Sequence, residues 1–341
     1  MQDIIIEFTK LFTSILYEAM PFIVLGAVIA GLLEELVPQQ LVARLIPRSR
    51  VLAIAIGGLL GILFPMCECG IIPVMRRLLR KGVPLSCCVC YMLAGPIINV
   101  VVMASTYVAF SGMENTAPTA EQPLRQYGGL EMMLLRMGLG YLVAFGTSLV
   151  VEWQYRKHGD KLLNPMAVPP GGLPVLENGN NGDQGTGKRT FWRRLGNIAE
   201  TSLHDFVDIT VYLIIGAILA SASRFFLSRE QITALASNPV LSISIMMGLA
   251  ILLCICSEAD AFVAASFRML PPASKLAFLV LGPMLDFKLY MMYTRVFRPR
   301  LIWTIITCVV VQVFVYAHIV HWLHLENLQF WTTMATSPGA P

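Results

Sequence analysis

Charge is what this 341-residue sequence has least of: 13% is Asp, Glu, Lys or Arg, while 56% is hydrophobic. Soluble domains carry about 25% charged residues. The apolar residues also gather in long blocks, which reads as a chain that crosses a membrane several times. Lys/Arg tracts are absent, and the net charge of +4 comes from basic loops; that excludes a nucleic-acid face. No GxGxxG, P-loop or Cys-x-x-Cys-His sequence occurs, so no dinucleotide, ATP or haem site is expected, and no cofactor. The opening MQDIIIEFTKLF lacks a basic n-region, is acidic at Asp3 and Glu7, and runs into no small-residue cleavage site. It is expected to be retained. The polar loops lack cysteine. Cys67, Cys69, Cys87, Cys88, Cys90, Cys254, Cys256 and Cys308 all lie in apolar segments, which excludes the disulfide framework of a secreted domain. They are either small buried hydrophobes or reactive groups within the membrane.

About eight hydrophobic segments can be read along the chain. An amphipathic stretch over 3–17 leads into a span at 20–37. The apolar run 51–66 ends in CECG (67–70), and a short segment follows with Arg76, Arg77, Arg80 and Lys81. Further spans are expected at 84–110 and 129–153. Residues 154–195 are rich in Pro, Gly and Asn without apolar period, and read as a flexible cytoplasmic linker. An interfacial helix and spans at 209–227, 239–256, 273–297 and 300–325 follow. The resulting division is a first transmembrane repeat (1–115), a connecting helix (128–153), the linker (154–195), a second repeat (196–299), a final helix (300–325) and a polar tail (326–341).

The two halves are copies. Adding 187 to the residue number takes Cys67 to Cys254, Cys69 to Cys256, Gly61 to Gly248, Pro84 to Pro271, Gly95 to Gly282 and Pro96 to Pro283. Asn99 falls on Asp286 by the same step. Basic residues favour the cytoplasmic side. Two basic clusters, Arg44/Arg48/Arg50 and Arg76–Lys81, stay on one side only if 51–66 enters, breaks at CECG and returns along 71–81. The returning segment is also too short to cross, since a spanning helix needs about 20 residues. Three crossings then separate the copies, which makes them inverted. This arrangement places Arg268 and Lys275 outside.

A break within the membrane frees backbone polar groups that protein or a wet cavity must satisfy. Gly70 and Pro73 accompany the first break, with Pro65 just before it. Gly95-Pro96 and Gly282-Pro283 interrupt the following spans, because Pro removes a helical hydrogen bond and Gly permits close approach. Asn99 and Asp286 follow each Gly-Pro pair by about one turn. Asp286 and Lys288, two apart, are not expected to face each other on a helix, and Lys288 is left between a site and snorkelling to the interface. Ionisable groups at membrane depth are costly, so Asp286 is a site candidate, as are Glu68, Glu258 and Asp260, which can take up protons. Thiolates are soft ligands for Zn(II), Cu(I) and arsenic-like trivalent centres. Cys67, Cys69, Cys254 and Cys256 are therefore candidate ligands, for a metal among others. Cys87, Cys88 and Cys90 lack repeat counterparts and, with Cys308, read as packing. The clustered His318, His321 and His324 read as interfacial.

FPMCECGIIPVMRRLLRKGVP…AGPIINVVV, with CICSEADAFVAASF…LAFLVLGPMLDFKLYMMY, resembles the predicted-permease family that includes the organoarsenical-efflux permeases. The resemblance covers both halves. It implies a multi-pass permease of the bacterial inner membrane, and by analogy the export of trivalent arsenicals. Its motif falls on Cys67, Cys69, Gly70, Pro73, Pro96 and Asn99, and on Cys254, Cys256, Asp260 and Asp286. Glu68 stands where the family more usually has a small residue, and its charge suits a cation or proton coupling.

The expected protein is therefore an all-α secondary transporter rather than an enzyme, built of two inverted repeats with re-entrant hairpins. Its partners are the lipid bilayer and a small molecule or ion, with room for an oligomer. A soft ligand would bind between CECG and CICS, lined by Asn99 and Asp286. The alternative is a membrane thiol oxidoreductase that cycles Cys-x-Cys disulfides. It calls for a quinone site and thiols in outer loops.

Overall fold

The computed structural model describes residues 2–36, 47, 49–63, 66–112, 127–159, 238–267 and 270–335, with scattered helical positions between 199 and 218. Most of the linker at 154–195, Pro65 and Arg268 lie outside the described residues. The described elements are helical: α1 (Gln2–Leu36), α2 (Arg50–Leu63), α3 (Glu68–Arg80), α4 (Leu85–Ala94), α5 (Val100–Phe110), α6 (Gly129–His158), α7 (Pro239–Leu253), α8 (Asp260–Ser266), α9 (Pro272–Leu281), α10 (Phe287–Val296) and α11 (Pro299–Ala335). Among them, Gly129–His158 and Pro299–Leu323 are long and apolar enough to cross a membrane by themselves. Helix bounds differ from the expected ones in three places. The stretches 3–17 and 20–37 form one helix, α6 runs on to His158, and α11 continues to Ala335 through much of the expected tail.

The run 51–81 is two helices, not one. Glycines explain how the first of them packs. A Cβ on Gly57 would meet Cys87, one on Gly58 would meet the Cys90 sulfur, and one on Gly61 would lie 2.7 Å from Gly95 Cα. The glycine face of α2 thus lies flush on α4, and the matching order of contacts means that the two helices run in the same direction. The opposite face of α2 exposes Val51, Leu52, Ile56, Leu59, Ile62 and Leu63. Between these helices α3 must return. It starts where Ile71 touches Gly95 and ends at Gly82, whose φ of 90° turns the chain into α4. The second half repeats the scheme. Ser242 Oγ of α7 bonds Ser274 Oγ of α9 at 2.8 Å, and Ala250 lies 4.0 Å from the Cβ position of Gly282, so α7 and α9 also run in one direction.

The Gly-Pro positions break both central segments in the same way. Ile97 and Ile98 amides donate to Ala94 O at 3.0 and 2.8 Å; at the 187-residue offset, Met284 and Leu285 donate to Leu281 O at 3.0 and 2.9 Å. Pro has no amide to donate, and the tight turns pair the amides that follow it. Each new helix is then capped by a side chain, Asn99 for α5 and Asp286 for α10. Every residue of α4 and α9 is buried. This includes Lys275, which the inverted arrangement puts towards the outer side and which lies buried within α9. Contacts between the halves run α6 to α9 and α11, α5 to α8, and α3 to α10.

Candidate functional site

The two cysteine loops meet in the interior. Cys67 precedes α3 in extended backbone (φ −71°, ψ 170°), so its side chain stands free of the helix. Its sulfur lies beside those of Cys69 and Cys256. Ligand atoms of Cys67, Glu68 and Cys256 all lie within 4.8 Å of one another, and all three residues are buried. Cys256 reaches this place because α7 ends on Cys254 in the left-handed region (φ 47°). An L-residue pays about 1–2 kcal/mol for that conformation, so packing around the loop has to hold it. Cys254 itself turns elsewhere. Its thiol donates to Ile251 O at 3.4 Å and faces the amides of Phe287 and Lys288 at the start of α10. The expected set of four sulfurs is therefore three in one cluster and one set apart.

Charged partners surround the thiols. Lys288 Nζ donates to Glu68 Oε1 at 2.8 Å, and Ser257 Oγ donates to Glu68 Oε2 at 3.3 Å. Cys256 donates to Glu258 Oε2 at 3.0 Å. Lys288 Nζ also lies 3.8 Å from Asp286 Oδ2. The expectation that Asp286 and Lys288 would not pair is corrected. Asp286 sits in extended backbone before the helix (φ −141°, ψ 175°), so the helical spacing rule does not apply to it. Nor does Lys288 snorkel, being only 2% exposed. Asp286 Oδ1 accepts from Leu289 N at 2.6 Å, and Asn99 Oδ1 accepts from Val101 N at 2.9 Å. Both residues thus act first as helix caps.

Arg136 and Asp260 make a second ion pair. Arg136 Nη2 donates to Asp260 Oδ2 at 2.7 Å and to Ser257 O at 3.0 Å, while Nη1 donates to Thr106 Oγ1 at 2.7 Å. The guanidinium fastens the CICS loop of the second half to α5 and α6 of the first. Sequence reasoning missed Arg136, Ser257 and Thr106. The signal for Arg136 was there: it is the one charged residue between Glu131 and Glu152, in a span where ionisable groups are costly. Ser257 and Thr106 carry no such mark. Gly70 and Pro73 belong to α3, and Gly70 receives the backbone of α1 so closely that a Cβ on Gly26 would lie 2.5 Å from Gly70 O. Cys87, Cys88 and Cys90 are buried in α4 and Cys308 is half-buried in α11. His318 bonds Phe314 O at 2.8 Å within α11.

Long apolar helices, Gly-Pro breaks and a buried polar cluster at their junction are those of an all-α membrane protein. The chain belongs to the predicted-permease family, whose model matches residues 4–322. It is 36% identical over 313 residues to the UPF0718 protein YcgR of Bacillus subtilis (strain 168), covering 92% of this chain and 96% of that protein. It is also 29% identical over 299 residues to a protein of Streptococcus mutans serotype c named as a subunit of a two-component membrane permease complex, covering 87% of this chain and 89% of that one. No solved structure matches the chain.

Proposed function

We propose that the protein is a secondary permease of the bacterial inner membrane that moves a small soft species, such as a trivalent arsenical or a soft metal ion, through a site between CECG and CICS. The observation that carries this reading is the convergence of Cys67, Glu68 and Cys256 within 4.8 Å from two chain breaks that lie far apart in sequence. In this reading α2–α3 and α7–α8 are re-entrant hairpins, and the halves are inverted. Support comes from the pairing of half-helices: α5 packs on α8 and α10 on α3, as expected where broken helices meet head to head near the midplane. Cys67, Cys69 and Cys256 hold the soft species, Cys254 stands apart at the start of α10 on the ligand's path, and Asn99 and Asp286 line the site through the helices they cap. Glu68, Glu258, Asp260 and Asp286 are the candidate carriers of the coupling proton. An open, exchangeable set of donors lets the ligand leave, which a closed structural zinc site does not.

The test is transport into reconstituted vesicles with and without a pH gradient, using phenylarsine oxide and Cd²⁺ as probes. The wild type is expected to move at least one of them faster with the gradient, and Cys67→Ser and Cys256→Ser to abolish that movement. Undiminished transport by both variants removes the thiols from the mechanism.

A further inference from the structure

We infer that Cys67, Cys256 and Glu68 form a three-donor site for a divalent, borderline-soft cation of the Zn²⁺ or Cd²⁺ type, and that Lys288 holds the place at Glu68 that the cation takes. This rests on the permease reading above and narrows its substrate.

The donor chemistry comes first. Cys69 lies beside Cys67 but outside the set whose donor atoms are all within 4.8 Å of one another, which leaves two sulfurs and a carboxylate. Two sulfurs alone suit Cu(I) or a trivalent arsenical. A carboxylate oxygen beside them is a hard donor that adds little to either, whereas zinc-like ions accept sulfur and carboxylate together. Zinc–sulfur bonds of about 2.3 Å put two tetrahedral sulfurs about 3.8 Å apart. The donors here lie within 4.8 Å, so the set closes with a shift of about an ångström.

Charge supplies an independent constraint. The cluster is buried, and an uncompensated charge there is costly. Binding exchanges one divalent ion for the two thiol protons of Cys67 and Cys256; two sulfur–metal bonds form, no electron moves, and the protons leave to solvent. The net charge of the cluster is therefore the same before and after. A monovalent ion bound by the same two thiolates would leave an excess negative charge.

Lys288 needs a second partner once Glu68 turns to the ion, and one is in place. Asp286 Oδ2 is buried and accepts no hydrogen bond, 3.8 Å from the same ammonium that now donates to Glu68 at 2.8 Å. The lysine thus changes carboxylates by a small displacement. Because Cys67 and Glu68 come from the first half and Cys256 from the second, the ion is held by both halves at once.

The experiment is titration of the purified full-length protein in detergent with CdCl₂, read by the ultraviolet sulfur-to-cadmium charge-transfer band and by proton release into weak buffer. The expected result is one Cd²⁺ per chain with about two protons released. Glu68→Gln is expected to weaken Cd²⁺ binding about ten-fold or more, with a smaller loss for phenylarsine oxide, which needs sulfur alone. Asp286→Asn is expected to weaken it by a smaller factor. Glu68→Gln leaves the Lys288 charge buried without its carboxylate and can fail to fold, so Glu68→Gln/Lys288→Gln serves as the second variant, with the same loss expected. Cys87→Ser and Cys308→Ser should retain the band. A wild type without the band, or a double variant that binds Cd²⁺ as tightly as the wild type, overturns the inference. Binding is read without transport, so the two proposals fail separately. Cd²⁺ binding without vesicle transport sinks only the permease reading, while phenylarsine oxide transport without Cd²⁺ binding sinks only this one.

Discussion

Arg136 shows what a single residue does in a molecule of this kind. It is 1% exposed and divides its donors among a carboxylate, a carbonyl and a hydroxyl on three segments. Removing one partner of a buried ion pair costs about 3–5 kcal/mol, because the other charge is left uncompensated. Arg136→Met should therefore lower the melting temperature in detergent sharply, whereas Arg136→Met/Asp260→Asn should recover much of the loss. If the double variant melts no higher than the single one, packing and not charge explains Arg136. At this scale the sequence was legible where chemistry is rare and costly: the paired thiols, Glu68, Asp260 and Asp286 all stood out against an apolar background. Ser257 and Thr106 were illegible, since hydroxyls sit in membrane helices for many reasons and only their partners give them a role.

The elements depend on close approach at glycine. The Cβ of Gly61 would come within 2.8 Å of Gly95 O and 2.9 Å of Ile98 O, and neither backbone atom can yield as a side-chain tip would. Gly61→Ala should separate α2 from the first Gly-Pro break and reduce both thermal stability and transport. Gly138, whose Cβ would meet no described atom within 4 Å, is the control: Gly138→Ala should be neutral or stabilising by up to about 1 kcal/mol, as expected from helix propensity. Equal behaviour of the two variants in a melting assay would mean that α2 does not need its flush contact. The helix breaks at 95–99 and 282–286 were legible, because Gly-Pro acts locally on the backbone. What followed the breaks was not. Asn99 and Asp286 were read as site residues, and their capping of α5 and α10 depends on an extended backbone that spacing alone does not reveal.

At the scale of the whole molecule, the repeat sets the terms. The proposed inversion puts the turn after α3 and the turn after α8 on opposite sides of the membrane. In a cysteine-free background of intact cells, a membrane-impermeant thiol reagent should label Phe267→Cys but not Lys81→Cys, and permeabilised cells should label both. Labelling of both variants, or of neither, in intact cells would make the halves parallel. The sequence by itself determined the membrane class, the 187-residue repeat and the positions where helices fail, since composition, internal identity and Gly-Pro chemistry are all local to the chain. Only the tertiary structure decided which sulfurs meet and which stands apart. It also chose the ion-pair partners: Lys288 takes a carboxylate 220 positions away, and Arg136 takes one 124 positions away. Several acids and bases compete for pairing in a low-dielectric interior, and only the packing of one half on the other brings a particular pair within reach of each other.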